Sequence, residues 1–200
     1  MKKALYLASL IALTGLAHAT TSPASVDAAQ SQSATYAIDP THTTVFFEAK
    51  HFGTSTNRGR WDKKEGTITL DKAAKTGKVD VTLDMNSISS GFGPFDGHLK
   101  SKDFFAAAEF PTAKFVGDKF TFNGDKLASV TGELTLRGKT NPVTLTASGF
   151  NCYENPMLKR EVCGGDFETT IQRSQWGINY GVPGIPDNVR IVIQVEAVKQ

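Results

Sequence analysis

Three histidines could in principle hold a zinc ion, namely His42, His51 and His98. Their spacing matches no compact zinc motif, so no metal site is predicted. His98 also lies near Asp96 and Ser101, the residue types of a nucleophile with its base. Residues so close in sequence rarely point toward one another, and the chain has neither a GxSxG nor an HExxH motif. We therefore predict no catalytic residue and interpret these side chains as polar groups at one end of the fold.

Two glycine-containing segments resemble phosphate-binding motifs only in part. Residues 138–140, Gly-Lys-Thr, match the end of a phosphate-binding loop motif. The earlier glycine of that motif does not match, because Gly132 lies one residue too far before Gly138, and Pro142 prevents the helix that must follow the loop. The glycines of residues 91–97 miss the dinucleotide spacing by one residue. The sequence therefore predicts neither a nucleotide site nor any other cofactor.

The two cysteines, Cys152 and Cys163, enclose a short segment that contains Pro156 and is followed by two glycines. This spacing is typical of a hairpin. In an oxidising compartment one disulfide across it is expected, worth about 3 kcal/mol by loop closure. A shared metal ion is the alternative, and it is disfavoured because the pair has no CxxC spacing and no nearby histidine.

The first nineteen residues have the composition of a secretory signal peptide. Lys2 and Lys3 precede an apolar run over residues 4–16, and small residues follow that permit cleavage after Ala19. The run is shorter than the roughly 20 residues of a spanning helix, so no stable membrane insertion is expected. Residues 1–19 are thus predicted to be a signal peptide, and residues 20–35 a flexible leader rich in Ser, Ala, Thr and Gln.

The charge balance argues against a nucleic-acid partner. Removing Lys2 and Lys3 with the signal peptide leaves as many Lys and Arg residues as the 20 Asp and Glu residues. Proteins that bind DNA or RNA need an excess of positive charge. No nucleic acid is therefore expected among the partners.

Between residue 36 and the C-terminus the sequence alternates with the period of β-strands. In the first long strand, Val45, Phe47, Ala49 and His51 share one face. Similar segments follow at residues 67–70, 79–85, 114–122, 129–137, 143–150, 166–172 and 189–198. About eight short strands without alternating helices predict an all-β fold, an antiparallel barrel formed by one domain over residues 36–200.

One segment departs from this period. Residues 101–109 predict a short helix, because Ser101 is a suitable N-cap and a proline follows the end. Phe104 and Phe105 would then lie on its buried side. The glycine-rich residues 91–97, which include two aromatics, predict a loop beside the end of the barrel.

Four motifs in this order and spacing resemble the YceI family. They are Tyr36-x-Ile38-Asp39-Pro40-x-His42, Asp96-x-His98-Leu99-Lys100-Ser101-x-Asp103-Phe104-Phe105, Phe110-Pro111-x-Ala113-x-Phe115 and Val130-x-Gly132-x-Leu134-Thr135-Leu136-x-Gly138-x-Thr140-x-Pro142-Val143. The resemblance extends to Val198. It implies an extended, lipocalin-like barrel in the periplasm, with an apolar cavity for a polyisoprenoid or another long-chain amphiphile such as a fatty-acyl lipid. A homodimer is compatible with it, and the cysteine pair lies outside the family pattern.

A barrel of this size is either filled by its own side chains or holds one slender ligand. The many phenylalanines favour an interior filled by side chains. The small and β-branched residues that face inward, together with the resemblance to the YceI family, favour a cavity. The residues expected to contact the ligand are Val45, Phe47, Ala49, His51, Val81, Leu83, Phe92, Phe95, His98, Leu99, Phe104, Phe105, Leu134, Leu136, Arg173 and Trp176.

Polar residues at the mouth of such a cavity would select the ligand head group. We expect His51, His98, Arg173 or Trp176 there, because an arginine pairs with phosphate and an indole donates one hydrogen bond. Two other function classes remain open. One is a lipid-modifying enzyme that uses His98 with Asp96, and the other is an accessory or stress-response factor that delivers lipid or quinone to a membrane redox partner.

Overall fold

Alternation of inward and outward side chains continues through most of the chain and builds an eleven-stranded antiparallel sheet. The computed structural model describes residues 33–200, so the predicted signal peptide and most of the predicted leader lie outside the described residues. The strands are β1 (Ala34–Ile38), β2 (Thr44–His51), β3 (Ser55–Trp61), β4 (Lys64–Asp71), β5 (Thr76–Asp84), β6 (Ile88–Ser89), β7 (Thr112–Asn123), β8 (Lys126–Leu136), β9 (Lys139–Asn155), β10 (Arg160–Gln172) and β11 (Asn188–Lys199). The first strand begins inside the segment predicted as leader.

The sheet closes into a barrel because β11 pairs with β10 on one side and with both β1 and β2 on the other. The closed circuit runs β1, β4, β5, β7, β8, β9, β10 and β11. Strands β2, β3 and β6 continue β1, β4 and β5 beyond short interruptions of the chain. With these continuations counted, the barrel has the eight antiparallel strands that the sequence predicted.

The helix lies at a different place from the predicted one. Helix α1 (Gly93–Lys100) has Pro94 in its first turn, and Ser101 is its C-cap instead of an N-cap. Proline is favourable there because the first N–H groups of a helix have no intrahelical partner. Residues 101–110 form consecutive turns, and Ala106 has a φ of 48°, which interrupts helical geometry. The prediction of a helix over residues 101–109 is wrong, as is the prediction of a loop over residues 91–97. Among the described residues, no helix has the length and hydropathy to cross a bilayer.

A hydrogen-bonded turn separates β1 from β2. The Asp39 carboxylate accepts hydrogen bonds from the Thr41 N–H at 2.8 Å and the Thr41 hydroxyl at 2.6 Å, and lies 2.7 Å from Nδ1 of His42. Burial raises the pKa of Asp39, but these hydrogen bonds outweigh burial and lower it to about 2. The hydrogen bond between Asp39 and His42 raises the pKa of His42.

Because of these pKa changes, we expect the hydrogen bonds of this turn to stabilise the fold in a pH-dependent way. A carboxyl with a lowered pKa stabilises the fold above its unfolded value of 3.8 and loses that effect as the pH falls toward 2. A histidine with a raised pKa stabilises the fold below its unfolded value of 6.5 and loses that effect as the pH rises through its folded pKa. The Tm difference between wild type and Asp39→Asn should therefore be largest near about pH 5 and decrease on both sides. Thermal melts across pH 2 to about 9 measure this, and a difference that does not vary with pH contradicts it.

Strand β9 extends beyond its neighbour β8. β9 pairs with β8 only over residues 139–146, and its remainder pairs with β10 alone. Cys152 and Cys163 lie opposite each other in this part of the β9–β10 hairpin and form a disulfide with a Cα–Cα distance of 4.1 Å, while Cys163 also pairs with Ala197 of β11. The predicted disulfide is confirmed, and because both sulfur atoms are joined in it, neither is a thiolate for a metal ion.

The disulfide should stabilise the protein by restricting the unfolded chain. By loop-closure entropy, replacing both cysteines with alanine should lower the free energy of unfolding by about 3 kcal/mol. Urea unfolding of wild type, reduced wild type and the Cys152→Ala/Cys163→Ala variant measures the effect. Reduced wild type is the matched control and should unfold at the same urea concentration as the variant. Identical midpoints for oxidised and reduced protein would contradict the prediction.

The end of the barrel nearest this hairpin is closed by packed side chains. Tyr36, Leu70, Cys163 and Ala197 are buried together there, and we call this group the closed end. The Tyr36 hydroxyl donates to Oε1 of Glu161 at 2.5 Å. Burial, reinforced by that carboxylate, raises the pKa of the tyrosine. A buried phenol with a satisfied donor thus seals the barrel on this side.

Candidate ligand-binding cavity

The barrel is hollow. An internal cavity of about 710 Å³ lies within the range of 300 to 1,000 Å³ for sites that bind small molecules. Alternate residues of the strands form most of its wall: Val45, Phe47, Ala49, Val79, Val81, Leu83, Leu134, Leu136, Val143, Leu145, Ile191, Ile193 and Val195. Phenylalanines fill only part of the interior: Phe120 and Phe150 pack beside the closed end, and Phe167 lines the cavity.

The cavity opens opposite the closed end. Phe52 and Tyr180 line it while remaining 65% and 47% exposed. Phe52 lies in the turn between β2 and β3, and Tyr180 in the loop of residues 177–187 before β11, so both belong to the same end of the antiparallel barrel. At the other extreme, the lining residues Val130 and Phe167 are buried. We call the opening bounded by His51, Phe52, His98, Tyr180 and Gly181 the mouth.

His98 is held at the mouth by an acidic residue and two aromatic rings. Its Nε2 lies 3.1 Å from Oδ2 of Asp103, and its ring contacts Phe104 at 4.9 Å and Tyr180 at 5.0 Å between centroids. Asp96 instead accepts hydrogen bonds from Ser90. The acidic neighbour of His98 is therefore Asp103, and not Asp96.

Arg173 lines the cavity but does not offer its charge to a ligand. Its side chain is 4% exposed, and its guanidinium donates to three backbone carbonyls of the loop before β11. The acceptors are Pro186 at 3.1 Å, Ile178 at 3.1 Å and Ile185 at 2.9 Å. Burial lowers the pKa of Arg173, and Asp187 opposes that change. Three of the N–H donors of Arg173 thus hold the loop of the mouth in place, and its pairing with a phosphate stays a prediction.

Two other predicted contact residues lie outside the cavity wall. Trp176 is fully buried and donates from Nε1 to the carbonyl of Leu134 at 3.0 Å, so it supports the barrel from behind. Phe92 precedes α1 in an extended conformation and is 63% exposed. It lines a separate shallow groove with Phe95 and Arg58. Neither side chain lines the cavity, and contact of either one with a ligand stays a prediction.

The other predicted residues lie around one cavity. They are Val45, Phe47, Ala49, His51, Val81, Leu83, Phe95, His98, Leu99, Phe104, Phe105, Leu134 and Leu136, in addition to Arg173. Residues from the first strands, the helix segment and the middle of the chain thus meet at a single site. Their contact with a ligand stays a prediction.

Sequence patterns gave no signal for the contribution of β3. Its inward positions include Asn57, Gly59 and Trp61, so the strand lacks an apolar alternation. Gly59 is required because a Cβ there would lie only 2.4 Å from Cε1 of Phe47. Phe52 and Tyr180 were missed because they lie in turns and loops, where periodicity carries no information.

The wall of the cavity is almost entirely apolar. Among the described residues, no Asp or Glu lines it. Two cations do, Lys64 and Arg173, and both donate to backbone carbonyls, Lys64 to that of Asp62 at 3.2 Å. A long hydrocarbon chain suits such a wall better than a charged or strongly polar molecule.

Comparison with known proteins agrees with this architecture. A family model for the YceI-like domain matches residues 36–197. The chain is 34% identical over 170 residues to Protein YceI of Salmonella arizonae, covering 84% of this chain and 88% of the relative.

Solved structures share the same fold. BcnA of Burkholderia cenocepacia superposes with a TM-score of 0.65 at 24% identity, covering 80% of this chain and 99% of that one. A polyisoprenoid binding domain from Saccharophagus degradans superposes with a TM-score of 0.56 at 13% identity, covering 82% and 98%. The extent of the sequence match and the shared barrel lead to one conclusion: the chain belongs to the YceI-like family.

Proposed function

We propose that this protein binds a polyisoprenoid or another long-chain amphiphile in its barrel cavity, and carries or sequesters that molecule without converting it. The observation that carries the proposal is the apolar cavity, closed at one end and open at the mouth. The binding specificity in the name of the Saccharophagus degradans domain supports it.

The hydrophobic effect supplies enough free energy for such binding. A twenty-carbon chain gains roughly 16 kcal/mol on burial, at about 0.8 kcal/mol per methylene. Association and ordering oppose this by about 4 to 15 kcal/mol. A net favourable affinity therefore needs no charged group in the cavity, in agreement with the carbonyl-bonded state of Lys64 and Arg173.

The same proposal places the protein in the periplasm after cleavage behind Ala19. The charged and apolar residues at the N-terminus support export. The disulfide between Cys152 and Cys163 supports an oxidising compartment. Protein recovered from the periplasm should have the mass of a chain that begins at Thr20. An unprocessed chain retained in the cytoplasm would contradict the proposal.

Native mass spectrometry of the exported protein tests the binding function. The expected result is an adduct of defined mass that is lost on denaturation and is identified as a long-chain lipid after solvent extraction. Added polyprenyl and fatty-acyl ligands should also bind to the stripped protein. A protein that is recovered empty and refuses both kinds of ligand would overturn the proposal.

A further inference from the structure

One polar atom in the cavity wall has no partner. Among residues 33–200, Nε1 of Trp61 is the buried side-chain nitrogen or oxygen that lacks a hydrogen bond. Trp61 is 4% exposed and lines the cavity. A buried N–H group that has left water without gaining an acceptor is unfavourable, and such groups are uncommon in folded proteins. This donor therefore indicates an acceptor that comes from outside the chain.

The second tryptophan shows what the fold does with an indole that serves structure alone. Nε1 of Trp176 donates to the Leu134 carbonyl at 3.0 Å. Trp61 has no such carbonyl, and its ring packs against Phe47 and Phe105, each at 5.7 Å between centroids. Aromatic faces are weak hydrogen-bond acceptors. The two rings thus orient the Trp61 indole without replacing a true acceptor.

The position of Trp61 fixes which part of a ligand it can meet. Trp61 pairs with Val45 and Ile88 at the end of β3, six residues after Ser55, where β3 leaves the turn of the mouth. At the rise of a β-strand this is about 20 Å along the strand. The donor therefore lies within the barrel wall, where Nε1 is covered by its neighbours, so an oxygen reaches it only when a packed side chain moves. Two rings pack against Trp61, those of Phe47 and Phe105. Phe105 belongs to the turns of residues 101–110, so it can move without disrupting a strand.

We propose that Trp61 donates a hydrogen bond to a neutral oxygen of the bound amphiphile, a carbonyl or hydroxyl held inside the cavity. This inference rests on the proposed lipid-binding function and specifies the ligand further. A neutral oxygen suits this position because the rings that pack on Trp61 are those of Phe47 and Phe105, so an anionic group beside the indole would lose water without gaining a charged partner from them. The site thus prefers an oxygenated lipid over a hydrocarbon of the same length.

A matched pair of probes tests this preference. The probes are geranylgeraniol and its deoxy analogue, which has hydrogen in place of the hydroxyl. Wild type should bind the alcohol more tightly, and Trp61→Phe should weaken alcohol binding by about tenfold while leaving hydrocarbon binding unchanged. Trp176→Phe is the control and should leave the ratio of the two affinities at its wild-type value, because its N–H donates to the protein.

An observation on wild type keeps the test independent of variant folding. The chain has two tryptophans, so its NMR spectrum contains two indole N–H signals. Geranylgeraniol should shift the Trp61 signal to a hydrogen-bonded position, and the deoxy analogue should not. An unchanged affinity ratio in Trp61→Phe, or an indole signal that responds equally to both probes, would overturn the inference while the lipid-binding function stands. Failure of wild type to bind either probe would overturn the inference, and failure to bind fatty-acyl ligands as well would overturn the lipid-binding function.

Discussion

Arg173→Met should lower the free energy of unfolding by about 3 kcal/mol or more, because three charge-assisted hydrogen bonds are lost at once. The guanidinium satisfies the carbonyls of Ile178, Ile185 and Pro186, and methionine leaves all three without this donor, that of Ile178 in a buried position. Urea denaturation measures the change. The mouth should also loosen, since these carbonyls belong to the loop that carries Tyr180.

Arg173→Lys is the matched control for charge. Lysine keeps the positive charge, but one ammonium group cannot reproduce the planar arrangement that reaches three separate carbonyls. Its unfolding free energy should therefore lie between those of wild type and Arg173→Met. A variant Arg173→Met with wild-type stability, but weakened binding of lipids with a phosphate head group, would assign the residue to head-group recognition instead.

Ala49→Trp should reduce lipid affinity by about tenfold or more, since displacing even two methylenes of the ligand forfeits about 1.6 kcal/mol of burial. Ala49 lines the cavity on β2, between Phe47 and the mouth residue His51. An indole at this position enters the space that the chain of the ligand would occupy. Ligand occupancy by native mass spectrometry, and titration with a polyprenyl alcohol, measure the loss.

The adjacent residue provides the control for this substitution. Lys50 lies on the same strand, is exposed, and faces the outside of the barrel. Lys50→Trp adds the same side chain without entering the cavity, so it should bind lipid like wild type. Equal lipid occupancy in Ala49→Trp and Lys50→Trp would show that the ligand binds elsewhere than in the barrel.

The parts of the fold that sequence predicted are those where one physical rule dominates. In β2, Val45, Phe47 and Ala49 alternate with outward residues, and their common face lines the cavity. A strand with one buried face must alternate in this way. The closed barrel likewise follows from many strands without intervening helices.

The position of the helix was missed because two adjacent segments both carry helix signals. Ser101 is a residue type that caps helix N-termini, but the helix is formed by the residues before it, with Pro94 in the first turn of α1. Local preference was therefore nearly balanced between two adjacent segments. Asp96, whose carboxylate accepts hydrogen bonds from Ser90, fixes the start of the earlier one.

The polar part of the site could not be predicted for a related reason. Arg173 and Trp176 have the chemistry to bind a head group, and only the three-dimensional structure shows that backbone carbonyls already occupy their donors. Trp61 is the reverse case, since its strand lacks an apolar alternation and its free N–H becomes visible only once the barrel is closed. Residue type states what a side chain can do, whereas its neighbours decide what it does.

The closed end gives the barrel a fixed depth. Because Tyr36, Leu70 and Cys163 seal one side, a chain that enters tail first through the mouth stops at a floor instead of passing through. With the oxygen of the ligand at Trp61, the tail occupies the part of the cavity between Trp61 and the closed end, and each methylene missing from a shorter tail forfeits about 0.8 kcal/mol of burial. Affinity as a function of carbon number should therefore have a maximum where the tail length equals that distance.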